Sequence, residues 1–221
     1  MTSVLAFDCA VSGLSVAVVR DDVCLARHRE EGRGQAATLL PAIAAVLREA
    51  GVDGRALALI AVTVGPGSFT GVRVGFAAAR GLALALDVPL AGITTTSALL
   101  AAAERDERLA VAAIDSHLGD WFCAFPADDQ APFLASTEAL AARLSGRACR
   151  IVGPQADVLA PLIPNAVARI ALPDPEVLAR LALADGVEGW RARNRTEGLP
   201  RPLYLRGVNV TSPDGTRRTV E

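Results

Sequence analysis

The chain predicts an α/β fold made of two related lobes, and three observations carry that expectation. Its 221 residues are 52% hydrophobic and 21% charged, with a net charge of −2. That is the balance of a globular chain with a substantial core, not of a disordered or nucleic-acid-coating one. The first half alternates short apolar runs with helical stretches in the order β-β-β-α-β-α-β-α. The second half starts the same way: VAAIDSHLGDWFCAF at 111–125 lays over VLAFDCAVSGLSVAV at 4–18, with Asp115 on Asp8.

Each element has a local reason. Residues 3–8, 14–20 and 23–30 read as strands, with Asp21 and Asp22 as a tight turn between the second and third. Gly32 and Gly34 punctuate, and residues 36–50 run helical until Gly51, placed to favour a left-handed cap. Residues 58–64, ALIAVTV, are the continuous apolar run of a strand buried on both faces. The loop GPGSFTG at 65–71 leads into a second helix over 72–86. Residues 88–93 form a strand, and Thr94 to Thr96 cap a helix through Ala103.

In the second half, residues 131–135 give a third strand, and Ser136, Thr137 and Glu138 open a helix that runs to Gly146. CRIVG at 149–153 is the next strand; beyond it the repeat fades, and residues 175–187 give one more helix. The expected organisation is one lobe over 1–103, the charged link ERDER, a smaller lobe over 109–190 and an Arg-rich tail over 191–221. Two β-β-β-α-β-α units, each with an aspartate ending its first strand, describe the duplicated ribonuclease-H-like architecture of actin, Hsp70 and the sugar kinases (ASKHA).

Composition excludes several chemistries. All 22 basic residues are arginine. Without lysine there is no phosphate-binding loop of the G-x-x-x-x-G-K type, no Schiff base and no kinase strand lysine. The two histidines, His28 and His117, stand far apart, and Cys9, Cys24, Cys123 and Cys149 show no zinc spacing, so no metal site is expected. The opening MTSVLAFDCA lacks the basic-then-apolar pattern of a signal peptide, and no run of about 18 uncharged apolar residues lacks Gly or Pro. A cytoplasmic chain with no membrane partner is expected.

In a two-lobe fold of this kind the hairpins DCAVSG at 8–13 and DSHLGD at 115–120 face a cleft. Asp8 and Asp115 either hold metal-bound water or cap their own turns. Val11, His117 and Leu118 are bulky where a phosphate cradle needs Gly, Ser or Thr. In GPGSFTGVR, Ser68, Thr70 and the N–H groups around Gly71 open a helix. They form either an anion site within reach of Arg73 or a plain N-cap.

The two helices are apolar nearly all round. Residues 34–47 carry no charge, and the charges on 72–86 are Arg73 and Arg80 alone. A sheet covers one side of such a helix, so another chain is expected on the other. The predicted contact face comprises Leu39, Leu40, Ile43 and Leu47 on the first helix. On the second it comprises the small-residue face Gly71, Gly75, Ala78 and Ala79 with Leu82. From Arg191 to Arg218 the tail carries seven arginines, either touching RNA or simply solvated.

GPGSFTGVRVG at 65–75, the small-residue helix ending GLALALDVPLAGI, the LLPAI segment at 39–43, IDSHLGDWF at 114–122 and PLYLRG at 202–207 resemble the TsaB (YeaZ) family. The resemblance implies a dimerisation subunit of the machinery that makes threonylcarbamoyladenosine (t6A) at adenosine 37 of tRNAs reading codons that begin with A. It implies a non-catalytic scaffold that binds the catalytic subunit TsaD, of which family members look like degenerate copies, in an assembly completed by TsaE. Alone, the chain is expected to form a homodimer and to hold no tight cofactor; ATP and Mg belong to the assembled complex, and tRNA is met indirectly or through the tail. Two departures stand out: Asp8-Cys9-Ala10 replaces the family's common Asp-Thr-Ser, and Gln35 stands where a histidine is common. The alternative is a self-sufficient kinase or peptidase-like enzyme of the same superfamily.

Overall fold

The computed structural model describes residues 1–103, 106–126, 131–206 and, as backbone, 208–211 and 217–220. The first lobe contains β1 (Ser3–Asp8), β2 (Leu14–Arg20), β3 (Val23–Glu30), α1 (Gln35–Glu49), β4 (Leu57–Thr63), α2 (Phe69–Leu86), β5 (Leu90–Ile93) and α3 (Thr95–Ala101). The second contains β6 (Leu109–Asp115), β7 (Trp121–Ala124), β8 (Phe133–Ala135), α4 (Thr137–Leu144), β9 (Cys149–Gly153), α5 (Ala156–Leu159) and β10 (Ala166–Ile170). Then come α6 (Pro175–Ala184), α7 (Val187–Thr196) and a terminal hairpin of β11 (Val208–Thr211) and β12 (Arg217–Val220).

The sheets run β3-β2-β1-β4-β5 and β8-β7-β6-β9-β10. The strand order is the same in both, and in both the first strand pairs antiparallel with the second and parallel with the fourth. The chain therefore has the duplicated two-lobe ASKHA fold. β10 supplies the fifth strand where the sequence pattern faded. It is an edge strand of five residues, four of them exposed, so it lacks the apolar run that marked β4.

Strand periodicity builds two cores on the first sheet. Leu5, Phe7, Val16, Val18, Ile60 and Val62 face one side, where α1 and α2 lie. Val4, Ala6, Ala17, Val19, Leu59 and Ala61 face the other, where they meet Leu178, Ala179, Ala182 and Trp190 of α6 and α7. Much of that second face is alanine, so the helices can approach closely. The Trp190 indole N–H donates to the Ala182 carbonyl at 2.8 Å. Asn194 closes the free edge of β5, accepting from Leu90 N–H at 2.7 Å and donating to its carbonyl at 3.1 Å.

This packing corrects the expected domain boundaries. Residues 175–196, divided by the sequence reading between the second lobe and the tail, are two helices on the first lobe. They are there because its second face is apolar and needs cover. Helix α2 is long and apolar enough by length and composition to cross a membrane. Here it is a wall of the core, with Val72, Phe76, Ala79 and Ala83 buried.

The small residues of α2 belong to that wall. A Cβ on Gly71 would stand 1.9 Å from the Cys9 carbonyl oxygen, and one on Gly75 would stand 3.3 Å from Cys9 Cβ. Gly75→Leu therefore inserts a branched side chain against β1 and should lower stability by roughly 1–3 kcal/mol or more. Urea unfolding followed by circular dichroism checks this; an unchanged midpoint would move the small-residue face out of the core.

Candidate functional site

The strand-to-helix loop after β4 and the hairpin after β1 are tied together. Ser68 N–H donates to the Ala10 carbonyl at 2.8 Å, and Ser68 Oγ accepts from Gly71 N–H at 3.2 Å as the N-cap of α2. The hydroxyl thus serves the helix, in line with the N-cap alternative, and Thr70 is exposed beside it. Gly65 and Gly67 take positive φ values of 98° and 156° on either side of a cis Gly65–Pro66 peptide, which turns the chain sharply off the strand.

Asp8 does not open into the cleft. It is 2% exposed, its Oδ1 accepting the Thr63 hydroxyl at 2.5 Å and Ala10 N–H at 2.9 Å. Burial raises its pKa from 3.8 to about 6, against the lowering effect of those hydrogen bonds. Asp115 repeats the device in the second lobe: its Oδ1 accepts His117 N–H at 2.7 Å, and His117 Nδ1 lies 3.4 Å from its carboxylate. Each aspartate caps its own turn two residues on.

Arg73 is committed elsewhere. Its guanidinium carbon sits 3.7 Å from the centroid of the Phe69 ring, and its Nε donates to the Tyr204 hydroxyl at 2.9 Å. The rings of Phe69 and Tyr204 are 5.6 Å apart. Of the six candidate anion-site residues, Ser68 and Asp115 line the cleft between the lobes together, whereas Asp8 and Gly71 are inside the first lobe, Thr70 is exposed on α2 and Arg73 stacks on its outer side.

Between the lobes lies a cleft of about 680 Å³, walled by the two hairpins, the 66–69 loop, Phe122, Pro154, Gln155 and a segment the sequence reading placed in the tail, Leu203 to Arg206. Val11, Leu118, Phe122, Leu203 and Leu205 make much of this wall apolar, and Arg33 lines it from the first lobe. Among the described residues, no three His, Cys, Asp or Glu side chains cluster as a metal site. Val11, His117 and Leu118 put bulky side chains in the turns, Ser68 is spent on capping α2, and Arg73 is stacked on Phe69.

The predicted partner face needs correction too. Leu39, Ile43, Gly71, Gly75 and Ala79 are buried within this chain, and Leu47, Ala78 and Leu82 are half-buried against the same core. Leu40 alone of that set stands out, 54% exposed. The outward faces are Leu40, Pro41, Ala44 and Ala45 on α1, and Arg73, Ala77, Arg80 and Leu84 on α2, with Leu84 82% exposed. The outward face of α1 is apolar, whereas that of α2 is mixed, with Ala77 and Leu84 among Arg73 and Arg80 on the side opposite the small residues. Leu84 was missed because it lies beside the arginine stripe, which read as solvated.

The chain matches the family model for TsaD, tRNA N6-adenosine threonylcarbamoyltransferase, over residues 29–117. The tRNA threonylcarbamoyladenosine biosynthesis protein TsaB of Escherichia coli K12 is 33% identical over 123 residues, 55% of this chain and 53% of that protein. The TsaB of Bacillus subtilis 168 is 31% identical over 100 residues, 45% of this chain and 44% of that one. The match thus spans about half the length of these curated relatives. Two solved structures from Pseudomonas aeruginosa, one of an uncharacterized protein with similarity to peptidase YeaZ and one of YeaZ, superpose with TM-scores of 0.74 and 0.71. They are 30% and 28% identical, covering 93% of this chain and 100% of each.

The buried carboxyl gives a pH test. Because its folded pKa is raised, Asp8 favours the fold fully below pH 3.8, and that contribution is lost as pH rises through about 6. Asp8→Asn keeps an oxygen for Thr63 and Ala10 without the charge. Its stability relative to wild type should improve by about 2 kcal/mol between pH 4 and pH 7. Denaturant unfolding across that range checks it, and a pH-independent difference would mean that the carboxyl is not desolvated.

Proposed function

The chain belongs to the TsaB/YeaZ family, and from that premise we propose that it is a non-catalytic scaffold subunit of t6A biosynthesis. It docks on TsaD through the outward face of α1 and α2, within an assembly completed by TsaE that transfers a threonylcarbamoyl group to adenosine 37 of tRNA. The observation that carries this reading is the exposure of Leu40 and Leu84 on two helices whose other sides already fill a core. Exposed leucine and alanine side chains bordered by arginine suit a partner helix pair. Without TsaD, the same face pairs two copies about a twofold axis.

Catalysis then resides in TsaD, together with ATP and Mg, and this chain alone holds no nucleotide tightly. tRNA is met indirectly. In support, Arg191, Arg193 and Arg206 of the arginine-rich stretch pair with Glu188, Asp185 and Asp120, which offsets part of the stretch's positive charge. The place of action is the cytoplasm.

The test is a Leu40→Asp/Leu84→Asp double variant. Buried contacts at the centre of an interface typically cost more than about 1 kcal/mol each when removed, and about 1.4 kcal/mol is a decade of affinity. Calorimetry with TsaD should therefore show at least roughly a tenfold loss, and sedimentation a loss of the homodimer, with the melting temperature nearly unchanged. Retained affinity would displace the interface from these helices. In parallel, titrating the isolated chain with ATP and Mg should give no saturable heat; tight binding with turnover lost in Asp115→Asn would favour a self-sufficient enzyme.

A further inference from the structure

Besides the chain links from α3 to β6 and from β10 to α6, two physically different contacts join the lobes. One joint is apolar: Leu99 of α3 packs with Ala112, Ile114, Ala124 and Val152 of the second sheet. Such a contact is non-directional and tolerates rotation. The other is the extended segment 199–206, which follows α7 along the first lobe and then crosses.

Three anchors hold this segment to the first lobe. Pro200 lies over Gly92, where a Cβ would stand 2.6 Å from the Pro200 Cβ. Leu203 N–H donates to the Val64 carbonyl at 2.7 Å. Tyr204 packs its ring at a tilt against Phe69 and accepts from Arg73. The fourth anchor is on the other lobe: Arg206 pairs with Asp120 in the 115–120 hairpin. Asp120 is itself fixed there, accepting from the Ser116 hydroxyl through its side chain and from Ser116 N–H through its carbonyl at 3.0 Å. The Arg206 and Asp120 side chains are 35% and 23% exposed, so their attraction is open to salt.

We propose that segment 199–206 is a clasp that sets the angle between the lobes, with α3 as the hinge and Arg206–Asp120 as the latch. The clasp lies along the wall of the cleft, so releasing the latch widens the cleft while Leu203 and Tyr204 keep the segment on the first lobe. A charge-assisted pair at the crossing point gives one defined angle, which the apolar joint alone does not specify.

The experiment measures the angle directly. Spin labels at Arg33→Cys on the first lobe and Val158→Cys on the second, in a Cys24→Ser background, report an inter-lobe distance by pulsed electron resonance. An excess of unlabelled chain removes distances between copies. With the latch intact, the distribution should be narrow. Arg206→Gln should broaden it and shift it to longer distance, and Arg206→Lys should restore most of the parent's distribution. Raising salt from low to molar concentration should broaden the parent's distribution and leave Arg206→Gln as it was. If Arg206→Gln superposes on the parent, the clasp is wrong. If that variant does not fold, the parent's response to salt decides, and an unchanged distribution overturns the proposal.

Discussion

The approach of α2 to the end of β1 is the constraint from which most of this molecule follows. Gly71 lies over the Cys9 carbonyl, where a side chain would collide. With the helix that close, Ser68 can cap its first turn and donate to Ala10, so the loop after β4 and the hairpin after β1 become one wall. The same closeness seals Asp8 beneath that wall, and burial there raises its pKa. It also turns Arg73, Arg80 and Leu84 outward, since a helix whose small face is spent on a sheet must present its other face to something else.

The duplication meets this constraint only once. In the second lobe the turn device of Asp115 and His117 is kept, but β9 is followed by the short α5 rather than a long packed helix. Gly153, at the end of β9, lies against β6, with the Ala113 carbonyl 1.9 Å from where a Cβ would be. The first lobe carries the extra helices α6 and α7 as well, so it holds two cores on one sheet. The second lobe is a lighter body, held by α3 and by the segment that returns across the cleft.

How much of this was legible follows from where each signal resides. The strands around Asp8 and the parallel strand β4 were readable because burial on both faces writes itself as a continuous apolar run. The cap of α3 was readable because Thr94 sits one residue ahead of the helix. Helix α2 begins at Phe69, three residues before the expected start, and Ser68 is the one of the two candidate hydroxyls that caps it. The faces of α2 were not readable. Gly71 and Gly75 announce a close approach, yet nothing local says whether the neighbour is β1 of the same chain or a helix of another. Likewise α6 was visible as a helix, while its address on the first lobe depends on the alanine face of β1 and β4, a property of residues more than a hundred positions earlier. Asn194 and Arg206 act through partners at 104 and 86 residues' separation, and no periodicity encodes such pairs.

The arginine usage resolves the remaining puzzle, a basic C-terminal stretch in a chain of net charge −2. With no lysine, every positive charge is carried by a planar guanidinium that can stack as well as pair. Arg193 lies 4.0 Å from the Trp190 ring centroid while pairing with Asp185 at 2.8 Å. Arg143 lies 4.1 and 5.1 Å from the rings of Phe133 and Phe125, and Arg73 joins Phe69 to Tyr204. Each of these covers an aromatic that would otherwise face water, a use that a compact, strongly hydrated ammonium serves less well. Arg73, Arg193 and Arg206 are thus fastenings between helix, strand and returning segment. Counting them as an electrostatic footprint for phosphate overstates the charge available, because a guanidinium already laid on a ring and bonded to a hydroxyl or carboxylate must first give those contacts up.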